Sequence, residues 1–177
     1  MGVGVVGAIP HKDMREDGVQ SVQIACDLAE RRDRPLNLHV DETDDSSSRF
    51  TEIQANEALK RDTGDRTIAG HTTAMHSYNS AYADKVISLL VDSGVSVVTN
   101  PPDNSVLQGS YDGYPRRRRR TRIDELREAG VTVGIGHDSV LDPGTTTVSR
   151  TRWTPRSFSS TTHTWRVAAT FRRCGRC

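Results

Sequence analysis

P35-L-N-L-H-V-D-E42 decides the fold: a short β-type apolar run, Leu36 to Leu38, leads into His39 and breaks off just as the polar residues begin. The pattern recurs twice. T67-I-A69 leads into G70-H-T-T-A-M-H76, and V131-T-V-G-I135 leads into G136-H-D-S139. Parallel α/β folds place their sites at the carboxyl ends of successive strands, which is where these imidazoles and carboxylates fall.

Working outward, the chain alternates strand and helix patterns. V3-G-V-V-G-A-I9 reads as a first strand, with Pro10 and His11 turning the chain. A helix over residues 18–32 carries Val19, Val22, Cys26 and Ala29 on one face. Residues 35–40 form the second strand, a helix over 48–61 carries Phe50, Ile53 and Leu59, and residues 67–71 form the third strand. The helix over 81–93 turns Val86, Leu89 and Leu90 inward and ends at Gly94, a C-terminal cap. Residues 95–99 are the fourth strand, closing on Asn100 and Pro101. A long polar loop over 102–115, a short helix over 123–129 capped by Gly130, and a fifth strand over 131–135 complete the pattern.

Five strands with four helical crossovers suit right-handed βαβ units and a parallel sheet. A complete (β/α)8 barrel takes about 250 residues, and this chain has 177. The expected fold is therefore α/β, a partial TIM-type (β/α) barrel amounting to about its second half. That domain spans residues 1–143. Met1 opening directly into a strand accords with a piece of a larger protein. Residues 144–177 read as an irregular basic tail, disordered or translated out of frame, because they hold many threonines, no acid and no periodicity.

Charge follows the same division. The net charge of +1 conceals seven arginines beyond residue 142, so residues 1–142 carry 17 basic and 23 acidic groups. The body is mildly acidic. Of three cysteines, Cys26 falls in a helical pattern and reads as core. Cys174 and Cys177 form a C-x-x-C without the second pair a zinc ribbon needs. Disulfides are not expected, and a reducing cytosol fits. The apolar stretch from Met1 to Ile9 lacks a charged leader and is too short for a membrane span.

The strand ends suggest metal-assisted hydrolysis. A neutral imidazole such as His39 is a good ligand for zinc or ferrous iron. Glu42, three residues on, leaves the strand where a carboxylate can accept a proton from a metal-activated water and pass it on. His71 can hydrogen-bond that water, and Asp138 supplies an anionic ligand. Metal binding lowers the pKa of water to roughly 7. Each element alone is common by chance; three in order at three strand ends are not.

The runs V5-V-G-A-I-P-H11, L38-H-V-D-E-T-D-D45 with S48-R-F50, and G70-H-T-T-A-M-H-S-Y-N79 resemble cytosine deaminases of the amidohydrolase superfamily. So do the pair Asn100-Pro101, L107-Q-G109, Y114-P-R116, T121-R122 and the run G136-H-D-S-V-L-D142 with Pro143. The resemblance covers residues 3–143. It implies one divalent metal, iron or zinc, held by His39 and Asp138, with Glu42 as proton shuttle and His71 orienting the water. The implied reaction removes the C4 amino group of cytosine, giving uracil and ammonia. It further implies a small-molecule pyrimidine substrate, a cytoplasmic role in pyrimidine salvage and homo-oligomeric intact relatives.

Departures from the family pattern matter too. The H-x-H pair of the family's first strand and its glutamine-bearing substrate loop are missing, and Ser139 stands where a second aspartate is common. Ser139 and His11 are the candidate substrate contacts. His76 reads as a loop hydrogen-bonder, His137 as support for Asp138, and Asn100 as a residue behind the ligands. Competing readings are a non-catalytic fragment, or a deaminase of a related triazine or oxopurine. Arg116 to Arg120 with Arg122 could neutralise phosphates, but the acidic body and absence of a nucleic-acid motif argue against specific nucleic-acid binding.

Overall fold

The computed structural model describes residues 4–109, 112–114, 120–136 and 138, with only the backbone of Val106 and Leu107. Five strands alternate with helices: β1 (Val6–Ala8), α1 (Arg15–Arg32), β2 (Leu36–Val40), α2 (Phe50–Arg61), β3 (Thr67–His71), α3 (Ser80–Ser93), β4 (Ser96–Thr99), α4 (Pro101–Leu107), α5 (Ile123–Glu128) and β5 (Val133–Ile135). The strands form one sheet in chain order, and every neighbouring pair is parallel. This is the expected partial barrel.

Alternation along β2 divides the sheet into two faces. Leu36, Leu38 and Val40 are buried, while Asn37 and His39 are only half-buried on the opposite face. The buried face joins Val22, Cys26 and Ala29 of α1, Phe50, Ala55 and Ala58 of α2, and Ala83, Val86 and Leu90 of α3 in one core. Cys26 is thus a core thiol, free and buried. Among the described residues, no helix is long and apolar enough to cross a membrane.

Left-handed residues close the helices. Asp33 (φ 48°), Asp62 (φ 53°) and Gly94 (φ 71°) sit just past α1, α2 and α3. Gly94 serves as the sequence indicates; the two aspartates do so because a short polar side chain tolerates this region. Arg61 ties α2 to α1 through Asp27 (2.6 Å) and Glu30 (3.0 Å), and to its own helix through Glu57 (3.1 Å).

Three details differ from the sequence reading. Helix α1 begins at Arg15, with Glu16 and Asp17 in its first turn, where the helix dipole favours acids. Leu59 is 45 % exposed, because Phe50, Ala55 and Ala58 define the buried stripe of α2. The supposed polar loop after residue 101 begins as helix α4, opened by prolines at its first positions and Asp103 in its first turn. The tail 144–177, the boundary at 143, Ser139, His137, Cys174, Cys177 and Arg116 to Arg119 lie outside the described residues.

Gly64, in the short 3-10 turn Gly64–Arg66 before β3, passes so close to the end of α3 that an added Cβ would lie 1.6 Å from the carbonyl oxygen of Ser93. Gly64→Ala is therefore expected to cost at least the 1–3 kcal/mol typical of overpacking, roughly. Urea denaturation checks this; an unchanged midpoint would contradict the close approach.

Candidate metal-binding site

Register sets the first two side chains. His39 of β2 stands opposite Gly70 of β3, and Val40 stands opposite His71. Regular alternation would put His71 on the face of Val40. Instead His71 (φ 68°) and Thr72 (φ 51°) both adopt left-handed backbone, and the His71 ring lies with its centroid 4.7 Å from that of His39. Non-glycine residues held in this region cost about 1–3 kcal/mol each and cluster at functional sites. Asp41 (φ 53°) and Asp138 (φ 61°) share the conformation. Thus β2, β3 and the segment after β5 all break their regular path where polar groups gather.

His71 is the centre of the group, with a fully buried side chain. Its Nε2 lies 3.1 Å from Nδ1 of His39 and 3.5 Å from Oδ2 of Asp138. Its Nδ1 lies 3.1 Å from Oε1 of Glu42 and 3.0 Å from the amide nitrogen of Asn104. The same amide donates to Oε1 of Glu42 at 3.2 Å. Asn100 brings its amide nitrogen to 3.3 Å from Nε2. An amide N–H only donates, so Asn104 requires an accepting Nδ1 and Asn100 an accepting Nε2; a neutral ring meets one of the two, and its other nitrogen carries the proton.

Burial, followed by the nearby His39, lowers the pKa of His71 from 6.5 to about 4, so the ring is neutral at physiological pH. Burial also raises Glu42 from 4.5 to about 7, with the charges of Asp103 and Asp138 adding to the shift. A carboxyl poised there can take up or release a proton near neutrality.

The donor chemistry fits a divalent cation. Ligand atoms of His39, His71 and Asp138 all lie within 4.8 Å of one another, and so do those of Glu42, His71, Asp103 and Asp138. Neutral imidazole with carboxylate is the mixed nitrogen and oxygen set that zinc or ferrous iron takes. The buried carboxamide oxygen of Asn104 has no hydrogen-bond partner among the described residues.

The four residues His39, Glu42, His71 and Asp138 picked from the sequence are thus brought together. The Nδ1 of His11 meets the main-chain oxygen of His39 at 3.0 Å. His76 is exposed. Arg122 is spent internally, bonding the carbonyls of Met75 (2.9 Å) and Tyr78 (2.7 Å), not available as a phosphate contact. Sequence reasoning missed Asp103 and Asn104, both buried on α4. The signal was present: two prolines followed by an aspartate mark a helix start.

Comparison with known proteins agrees with this geometry. Residues 3–156 match the amidohydrolase family. The structure resembles 5-methylcytosine deaminase from Klebsiella pneumoniae liganded with 5-fluorocytosine, with TM-score 0.79 and 44 % identity over 81 % of this chain and 35 % of that one. It matches the same enzyme liganded with phosphonocytosine equally well. A pterin deaminase of Rhizobium rhizogenes is 32 % identical over 109 residues, 61 % of this chain and 25 % of that protein. The chain therefore spans between a quarter and about a third of the length of these relatives. N-isopropylammelide isopropylaminohydrolase from Burkholderia multivorans shares the fold at TM-score 0.62 and 21 % identity, over 78 % of this chain and 32 % of that one.

The raised pKa of Glu42 makes a signed prediction. Folding favours its protonated form, so between pH 4.5 and about 7 stability falls as pH rises, then levels off. Removing that group with Glu42→Gln should flatten this limb, worth about 3 kcal/mol at most. The lowered pKa of His71 acts oppositely: its contribution is lost as pH falls from 6.5 through about 4. Denaturation curves for both proteins across this range test the pair; parallel pH dependence in wild type and Glu42→Gln would contradict the shift.

Proposed function

Because the chain belongs to the amidohydrolase family, we propose that it carries part of a metal-dependent centre for hydrolytic deamination of a cytosine-type pyrimidine in the cytoplasm. The observation that carries this reading is the convergence of His39, His71 and Asp138 at the carboxyl ends of parallel strands. The 44 % identity with a 5-methylcytosine deaminase supports the substrate class. The pterin deaminase similarity favours a second reading, a bicyclic aminated heterocycle in place of cytosine.

In this reading His39 and Asp138 hold the divalent cation, zinc or iron. When bound, that ion supplies Lewis acidity that brings the pKa of water near 7. Glu42, whose carboxyl meets His71 at 3.1 Å, accepts a proton from the attacking water and delivers it to the departing amino nitrogen. One carboxyl thus serves as base and then acid, as loss of ammonia requires. His71, neutral and held between the amides of Asn104 and Asn100, orients the water through a ring nitrogen. Asn104 also donates to Glu42, so one amide sets the relative placement of the proton carrier and the orienting imidazole.

The test is metal analysis of the full chain with an ammonia-release assay on cytosine, 5-methylcytosine and pterin. Zinc or iron bound by wild type and lost in His39→Ala and Asp138→Ala is the expected result; ammonia released from cytosine by wild type but not by Glu42→Gln would show that this part of the centre suffices for turnover. Release from pterin alone would move the substrate to the bicyclic class. Metal retained in both ligand variants would overturn the site, and bound metal without turnover on any substrate would identify a non-catalytic fragment.

A further inference from the structure

Asp41 lies between His39 and Glu42 in sequence but faces away from them. Its side chain is fully buried. One carboxylate oxygen accepts from the Ser48 hydroxyl (2.6 Å) and the Phe50 amide (2.9 Å). The other accepts from the Thr51 amide (2.8 Å) and the Thr51 hydroxyl (2.6 Å), while the Tyr78 hydroxyl beside it (3.3 Å) donates its one proton to the main-chain oxygen of Ser48 (2.5 Å). Its main-chain carbonyl accepts from the Ala74 amide (2.9 Å) and the Thr73 hydroxyl (3.1 Å). Arg49, at the cap position of α2, makes no side-chain cap, so Asp41 takes the role from eight residues upstream. The free N–H groups of a helix start and its positive dipole end suit a carboxylate.

An ordinary cap needs one acceptor. Here both oxygens are used by residues 48–51 at the start of α2, while the main-chain oxygen of the same residue holds Thr73 and Ala74 in the turn after β3. His39, two residues before Asp41, carries the imidazole and Glu42, directly after it, the proton-carrying carboxyl, and the turn that Asp41 grips follows His71 directly. We propose that Asp41 is a positioning residue that fixes the spacing of His39 and Glu42 against His71. It does so by clamping the end of β2 to α2 and to the turn over residues 72–78. The inference rests on the reading of His39, Glu42 and His71 as one site, but it has its own readout.

That readout is the ring-nitrogen resonances of the histidines in the metal-free full chain, followed by long-range proton–nitrogen NMR. Asp41→Asn is expected to move the His39 and His71 nitrogens and leave exposed His76 in place. Ser48→Ala, which removes one donor to the carboxylate, should move the same nitrogens by less; it decides the matter if Asp41→Asn does not fold. Arg61→Ala, which breaks the α1–α2 tie, provides a destabilised control expected to leave the rings unmoved. Unmoved rings in the folded variants, or equal movement in the control, would overturn the inference. In a parallel cobalt titration, Asp41→Asn should bind about 10–100-fold more weakly than wild type. A wild type that takes no cobalt would refute the metal reading alone, leaving the ring resonances to decide the role of Asp41.

Discussion

The parallel pairing of β2 with β3 fixes the distance on which the site depends. His39 opposite Gly70 and Val40 opposite His71 leave no freedom to slide, because a slip of one residue would exchange buried Leu36, Leu38 and Val40 for Asn37 and His39. Gly70 adds a second restriction. A Cβ there would stand 3.0 Å from the carbonyl of Leu38 and 3.8 Å from the Cα of His39, so a side chain at this position would press on the strand that carries His39. Left-handed backbone at His71 and Thr72 then brings the second imidazole onto the first. The hydrophobic face thus holds the register, and the register holds the nitrogens.

The electrostatic character of the site follows from its depth. A buried imidazole surrounded by a second imidazole and amide donors stays neutral. A partly covered carboxyl beside two further acids holds its proton up to about neutral pH. Shifts of this kind in opposite directions, in touching groups, are how one fold runs acid and base steps together. A cation would relieve the repulsion among Glu42, Asp103 and Asp138, which supports reading the cluster as a metal centre and not as a purely structural network.

Much of this was legible in the sequence. Strand ends were marked by apolar runs stopping at His39, His71 and Asp138, and the helices by the spacing of Val22, Cys26, Val86 and Leu90. What could not be read were features that depend on backbone turning back on itself. Strand alternation assigns His71 to the wrong face, since only its positive φ reverses the ring. Asp41 carried no assignment in the sequence, and only the folded path of residues 48–51 shows it serving α2. Helix α4 was passed over because its seven residues show no apolar periodicity, although the prolines and Asp103 marked its start. Asp103 and Asn104 were lost with it.

The most direct test of a nitrogen- and oxygen-ligated metal centre is X-ray absorption spectroscopy at the zinc edge on the zinc-loaded full chain and its His39→Ala variant. The structure predicts a shell of nitrogen and oxygen at about 2.0–2.2 Å, with imidazole scattering reduced in the variant. A sulfur shell at about 2.3 Å, which would place the metal on cysteines such as Cys174 and Cys177, or a spectrum unchanged by loss of His39, would contradict it.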